Sequence, residues 1–250
     1  MYDRRMDAYT WDWREAEPET PAPLRCEHLE GVLESSRFTR EQLSGLGIRG
    51  IQFGCSWRLA PAFLNTDMFR AESDTAVSRP DCVSRIDNRL YYLEMDASKP
   101  FPLEDGCFDW AYSEHMIEHL TLPDGIRWLR EVRRVLAPGG ILRLTTPDLG
   151  KYVNGYLGGD FYATHREEMH TMGARPPMPK RKAFMMNQIF YLWGHRWIYD
   201  EAELRYALTA SGFDAEGIEV REYQDSSVPE MADHDRADRR DESIYIEARV

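Results

Sequence analysis

Cysteine is scarce in this chain, with four among 250 residues (Cys26, Cys55, Cys82 and Cys107) and no C-x-x-C pair. That spacing fits neither a disulfide framework nor a cysteine zinc site, so reduced and mostly buried thiols are expected. No apolar run approaches 18 residues, and the start, Met1-Tyr2-Asp3-Arg4-Arg5, has no apolar signal core. A soluble cytoplasmic chain with no membrane partner is the expectation. Positive charge is short as well: 31 Lys and Arg stand against 43 Asp and Glu, a formal net charge of −12. Neutralising phosphates takes clustered cations, so a nucleic-acid partner is disfavoured. One concentrated basic segment exists, Arg175 to Lys182. It reads first as a solvated loop and second as a contact for an anionic or phosphorylated acceptor. There is no internal repeat, and the length suits one α/β domain with elaborations.

What is present is most informative between Arg89 and Asp148. Arg89 to Met95 is an aromatic-rich apolar run that ends in Asp96-Ala97, placing a carboxylate at a strand's carboxyl edge, where ligands bind in open α/β sheets. Phe108 to Tyr112 is a second apolar run, bounded by Glu104-Asp105-Gly106 and Ser113-Glu114-His115, with the shape of a buried parallel strand. From Thr121 to Leu136, apolar residues recur at helical spacing behind a Thr121-x-x-Asp124 start with Pro123 in the first turn. Pro138-Gly139-Gly140 stops that helix, and Ile141 to Thr145 resumes as a strand. The result is a strand-helix-strand crossover.

Residues 1–45 read as an N-terminal arm or cap, helical near Cys26 to Ser35 and again near Thr39 to Leu43, ahead of a main domain over 46–250. Ile48 to Phe53 predicts the first strand and Phe63 to Asn65 a short second one ending at Asp67, so the helix between them must shrink to about a turn. Residues 147–199 form an aromatic- and methionine-rich insertion, and stretches this long inside a compact domain are usually functional lids. Asp200-x-x-Glu203 caps a further helix that Gly212 ends. Gly217 to Glu222 and Ser243 to Val250 alternate like strands, with an exposed or mobile polar loop from Gln224 to Glu242 between them.

Asp96-Ala97, Phe108-Asp109, Glu114-His115-x-x-Glu118-His119-Leu120, Arg134-Val135-Leu136 and Pro138-Gly139-Gly140 occur in order within one such span. In that series the chain resembles the class I S-adenosylmethionine-dependent methyltransferases, most nearly the small-molecule "methyltransferase domain 11" branch. The resemblance implies a Rossmann-like, seven-stranded, mostly parallel sheet with helices on both faces, an antiparallel last strand and S-adenosylmethionine as cofactor. It covers residues 48–146 well and the final hundred loosely. The chain departs from the family at the first loop, where Gly54 alone remains of a Gly-x-Gly-x-Gly signature and Cys55, Ser56, Trp57 and Arg58 fill the rest.

Carried over by resemblance, Asp67 takes the ribose hydroxyls, Asp96 and Ala97 meet the adenine, and Gly54 with the Cys55 backbone, and Gln52 as a further candidate, faces the methionine moiety. Ser113 and Glu114 line the cofactor pocket, His115 points toward the transferred methyl, and Glu118 and His119 lock the following helix. Each has a plainer reading, respectively a solvated aspartate, a turn cap, a simple turn glycine and a structurally satisfied histidine. His115 to His119 also matches H-x-x-E-H, a zinc-peptidase pattern. The surrounding series favours the methyltransferase reading, with no metal. A hydroxyl acceptor would need a base, for which His115 and His195 lead, followed by His165, His170 and Tyr199. Tyr152, Tyr156, Trp197 and Tyr199 are the candidate acceptor contacts, although tyrosines four residues apart are more often helix packing.

The expected activity is therefore methyl transfer to a small-molecule acceptor, at oxygen before nitrogen before carbon, as in secondary-metabolite or sugar biosynthesis. A homodimer stays compatible with the sequence. An Asn-Pro-Pro-Tyr motif, expected for nucleobase amines, is absent at Ser113 to Met116. Rival readings are a catalytically silent scaffold that kept the fold, a zinc hydrolase, and a non-methylating enzyme using the same cofactor.

Overall fold

A computed structural model describes residues 22–171 and 178–250. In chain order the elements begin with β1 (Leu24–Arg25), β2 (Leu29–Glu34), α1 (Arg40–Gly45), β3 (Gly50–Phe53), β4 (Phe63–Asp67), β5 (Ala71–Glu72) and β6 (Cys82–Ile86). The middle of the chain supplies β7 (Leu90–Glu94), β8 (Phe108–Glu114), α2 (Leu122–Val135) and β9 (Leu136–Pro147). Three helices follow, α3 (Leu149–Leu157), α4 (Phe161–Thr171) and α5 (Lys182–Tyr191), and then α6 (Glu201–Ala210), β10 (Ile218–Arg221), α7 (Pro229–Ala232) and β11 (Ser243–Arg249).

The main sheet has the order β10-β11-β9-β8-β3-β4-β7-β6-β2. The central run β9-β8-β3-β4-β7 is parallel, and β11 closes one side antiparallel to β9. This is the expected α/β class, but among the described residues the sheet has nine strands rather than seven. The extra pair, β6 and β2, is antiparallel and extends the sheet beyond β7. The chain leaves β3 in one direction to β4 and later returns on its other side as β8, so a topological switch point lies at the carboxyl ends of β3 and β8. In such sheets that is where ligands bind.

The segment expected to be helical at Cys26 to Ser35 is strand instead. Leu29, Val32 and Leu33 have helical spacing only because a β-bulge inserts one residue between Gly31 and Leu33, which breaks the two-residue alternation. Gly31 belongs to that bulge, and a Cβ there would come within 2.7 Å of the Cys82 sulfur. The helix expected at Thr39 is present, with a capping box in which Thr39 Oγ1 accepts from Gln42 N and Gln42 Oε1 accepts from Thr39 N. Three thiols, Cys55, Cys82 and Cys107, are free and buried, and Cys26 is free and half-buried.

α2 forms as its pattern predicts. Thr121 caps it by accepting from Asp124 N at 3.3 Å, and Trp128, Leu129, Val132 and Val135 fall on one buried stripe. That stripe joins Phe53, Leu142, Leu144 and Leu204 in the main core, on one face of the sheet. Each of these side chains stabilises by about 1.5–3 kcal/mol when fully buried. Pro138-Gly139-Gly140 does not separate helix from strand: β9 starts at once at Leu136, and the glycine turn is absorbed as an irregularity between the pairs Phe108–Leu136 and Trp110–Ile141.

The opposite face is built differently, because the first two crossovers contain no helix. Residues 54–62 link β3 to β4 through turns, and residues 222–242 cross the face as a loop with α7 and a 3-10 turn at Ala237–Arg239. This polar segment, expected to be exposed or mobile, carries buried Met231, Asp235 and Glu242. Its charges meet charges that the strands direct at the same face. Arg143 of β9 and Asp235 are both fully buried and form a bidentate pair, with Nε at 2.9 Å and Nη2 at 2.5 Å from the two carboxylate oxygens.

Candidate active site

The first loop keeps the backbone shape of a glycine loop with fewer glycines. Gly54 has φ +65° and Ser56 φ +48°, so Ser56 occupies a left-handed position that usually favours glycine. This conformation directs Ser56 N to Asp67 Oδ2 at 2.8 Å, while Met68 N reaches Oδ1 at 2.7 Å. Burial raises the Asp67 pKa above the usual carboxylate value, against the opposing pull of the Ser56, Met68 and Phe69 amides. A Cβ on Gly54 would come within 2.6 Å of the Met116 side chain, so the loop and the end of β8 touch. Cys55 is buried, and burial pushes its thiol well up.

Asp96 lies one strand away, just beyond β7, with Oδ1 accepting from Ser98 N at 2.9 Å and Ser98 Oγ at 2.7 Å. It is a turn cap, with half-buried Ala97 packed on the core. Ser113, Gln52 and Thr145 each bury a side-chain oxygen that has no hydrogen-bond partner among the described residues. These orphaned oxygens stand at or near the carboxyl ends of β8, β3 and β9. A ligand bearing several donors and acceptors satisfies such a rim, so the residues present fit the expected cofactor.

Glu114 accepts from Arg236 N at 3.0 Å and lies 3.6 Å from Arg58. Burial pushes its pKa up to about 7, with the Arg236 amide and Arg58 opposing. A carboxyl whose folded pKa exceeds its unfolded value contributes stability below the unfolded value and loses it as pH rises through the folded one. Glu114→Gln keeps the acceptor for Arg236 N and removes the charge. We expect its Tm to match the native protein near pH 4.5 and to exceed it by a few degrees at pH 8. Thermal melts of both across that range check this; an offset that does not grow with pH removes the assignment.

His115 follows at φ +51°, an uncommon conformation for a non-glycine residue, held by its own N–H to Thr145 O at 2.9 Å. Its Nε2 is 2.7 Å from Ser243 Oγ, whose single proton is donated to Arg239 O. His115 Nε2 therefore carries the ring proton, and Nδ1 keeps a lone pair. Nδ1 lies 3.4 Å from Glu118 Oε1, without hydrogen-bond geometry. Burial lowers His115 to about 3 and raises Glu118 to about 8, so at neutral pH this contact is not an ion pair.

The turn over Ile117–His119 is a short 3-10 helix, so His115 and His119 do not share an α-helical face in the manner of a zinc peptidase. His119 instead meets His195, with ring centroids 4.9 Å apart. Two backbone bonds bring them together, from Arg196 N (2.7 Å) and Trp197 N (3.2 Å) to Glu118 O. Burial lowers both imidazoles, His195 to about 4. Tyr199 is fully buried above Gly125, and its hydroxyl has no partner among the described residues.

Helices α3 to α5 carry the remaining candidates. Tyr152 is fully buried; its hydroxyl donates to Glu242 Oε2 at 2.7 Å and lies 2.9 Å from His165 Nε2. Gln188 Nε2 donates to the Tyr152 hydroxyl oxygen at 3.2 Å, and Trp193 donates to Gln188. This network, extended by His165 to Asp241, fastens the helical module to the end of the polar loop. Tyr156, on the next turn of α3, is exposed, as is Trp197, whose indole donates to Glu203. His170 is exposed on α4. Of the basic run, Arg175 lies outside the described residues, and Lys182 donates to Tyr156 O. The parts of this region that sequence reading missed, Arg236, Arg239 and Glu242, share one signal, the charge density of 224–242.

Residues 64–144, from β4 into β9, match the family model of a methyltransferase domain. That match identifies a methyltransferase domain within the chain, in keeping with the resemblance to class I S-adenosylmethionine-dependent methyltransferases. The match supports S-adenosylmethionine as the cofactor. Solved structures similar to this chain include one from Thermotoga maritima, 16% identical over 84% of this chain and 87% of its own, with a TM-score of 0.44. Another, from Mesorhizobium loti, is 21% identical over 84% and 98%, with a TM-score of 0.43. Both are described as S-adenosylmethionine-dependent methyltransferases. No curated protein matches the sequence. Among the described residues no helix of the methyltransferase is long and apolar enough to cross a membrane.

Proposed function

We propose that this methyltransferase acts on a small-molecule acceptor, at oxygen before nitrogen or carbon, as a cytoplasmic biosynthetic enzyme. The observation that carries the reading is the helical module α3 to α5, inserted directly after β9 and bonded back to the β8 side through Glu118, Arg196 and Trp197. Such a cover suits a compact acceptor that must be held in line and kept from water.

The cofactor, when bound, supplies a methyl group on a sulfonium that is already a good leaving group. In this reading Asp67 accepts from the ribose, Asp96 and Ala97 meet the adenine, and Gly54 and Cys55 approach the methionine end. Ser113 supplies the unpartnered Oγ and Glu114 borders the pocket. Transfer to a hydroxyl also needs a proton acceptor. Burial keeps His115 and His195 neutral, with lone pairs at His115 Nδ1 and, because His195 Nδ1 donates to Ile189 O at 2.6 Å, at His195 Nε2. Tyr199 and Trp197 border the acceptor, Tyr156 lies at the outer edge, and Tyr152 acts by positioning α3. An anionic acceptor would draw on the basic run ending at Lys182.

The test is label transfer. The purified protein is incubated with S-adenosylmethionine carrying a ¹³C methyl and with either a small-molecule cell extract or the macromolecular fraction. We expect label in small molecules, at methyl carbons with O-methyl chemical shifts. Label confined to protein or nucleic acid, or cofactor consumed without a methylated product, overturns the proposal.

A further inference from the structure

We propose that Glu118, His119 and His195 form a binding site for a divalent transition-metal ion. One carboxylate oxygen and one nitrogen from each imidazole lie within 4.8 Å of one another. Two imidazoles and a carboxylate suit zinc and its first-row neighbours, and three protein ligands leave coordination positions open for water or an acceptor oxygen. The spread is somewhat wider than around a bound ion. His119 is exposed and its ring can turn to close the set.

Three independent features point to a ligand here. Glu118 is fully buried, yet Oε1 has no hydrogen-bond partner among the described residues, while Oε2 accepts from Thr146 Oγ1 at 3.0 Å. A buried orphan oxygen on a carboxylate that lies beside two imidazoles is costly unless something binds it. His195 is oriented as metal ligands are, with Nδ1–H donated to a backbone carbonyl and Nε2 left with its lone pair. Finally, the Arg196 and Trp197 amides bind the carbonyl of Glu118 itself, so the backbone that carries His195 is anchored to the residue supplying the carboxylate.

The site differs from the H-x-x-E-H reading, because His115 is tied to Ser243 and the second imidazole comes from residue 195. With an ion present, His195 is a ligand and leaves the pair of proton-acceptor candidates. The site would also lock the helical module to the end of β8.

The test uses the full-length protein stripped with a chelator, then loaded with Zn²⁺, Mn²⁺ or anaerobic Fe²⁺ and gel-filtered. We expect about one ion per chain by elemental analysis and a Tm that rises with free ion concentration. His119→Ala and His195→Ala should lose both effects while keeping native circular dichroism and S-adenosylhomocysteine binding. His28→Ala, at an exposed position away from the cluster, should retain both effects. Substoichiometric uptake of all three ions, or unchanged uptake by both cluster variants, overturns the proposal. His119→Ala keeps the test open if His195→Ala fails to fold. None of these readouts needs an acceptor, so their failure is distinct from failure of the label-transfer experiment.

Discussion

Arg143→Met is expected to destabilise the protein by about 3–5 kcal/mol, the usual consequence of removing one member of a buried ion pair. Every nitrogen of the native guanidinium is engaged. Beyond the bidentate pair with Asp235, Nη1 donates to Asp225 O at 2.7 Å and Nη2 to Glu222 O at 3.0 Å, and Glu247 lies 3.5 Å away. Methionine has similar bulk but no donor. It would leave Asp235 buried with only Gln224 N and the longer Tyr112 hydroxyl contact, and two loop carbonyls would lose this donor. Lysine should rescue little, because a point charge cannot reproduce the planar fork. Urea denaturation measures the loss, and a second variant, Arg143→Met with Asp235→Leu, should recover much of it. A single-variant loss below about 1 kcal/mol would show that the pair does not hold the loop to the sheet.

The other large effect belongs to Asp67. Each carboxylate oxygen accepts one backbone amide, from Ser56 and Met68, and each retains lone-pair capacity for a ribose hydroxyl. Asp67→Ala should weaken S-adenosylhomocysteine binding at least tenfold, or about 1.4 kcal/mol, in calorimetric titration. Asp67→Asn should do no better. Whichever way its amide turns, an NH₂ group faces a backbone N–H, so the loop loses its anchor along with the ligand contact. Asp96→Ala should cost less, since one of its oxygens already serves Ser98. An affinity within twofold of native for Asp67→Ala would remove this residue from the cofactor site.

Local chemistry made much of the fold legible. Thr121, Pro123 and the apolar stripe placed α2, and Asp67 marked the end of β4, because caps and strand edges are written in neighbouring residues. Where register or long-range pairing decides, the reading went astray. One bulged residue near Val32 made a strand look helical. Gln224 to Glu242 looked exposed because its acids meet Arg143 and Tyr152 only after the sheet has assembled. In the candidate site, H-x-x-E-H pairs His115 with His119, whereas the ring of His119 meets that of His195. The partner of His119 lies beyond the whole helical module, where no local motif reaches. Gly54 to Arg58 looked like an eroded glycine loop, yet Ser56 keeps the left-handed backbone that directs an amide to Asp67.

The sheet face covered by residues 222–242 also bears on how this sequence can change over time. A face packed with leucines and valines tolerates drift, since one aliphatic side chain can replace another at modest cost. Arg143, Asp235 and Glu247 have no such neutral neighbours: altering any one leaves its partners charged and dry. Homologues should therefore keep all three or exchange them together, and a stretch that reads as surface loop should diverge as slowly as a core strand.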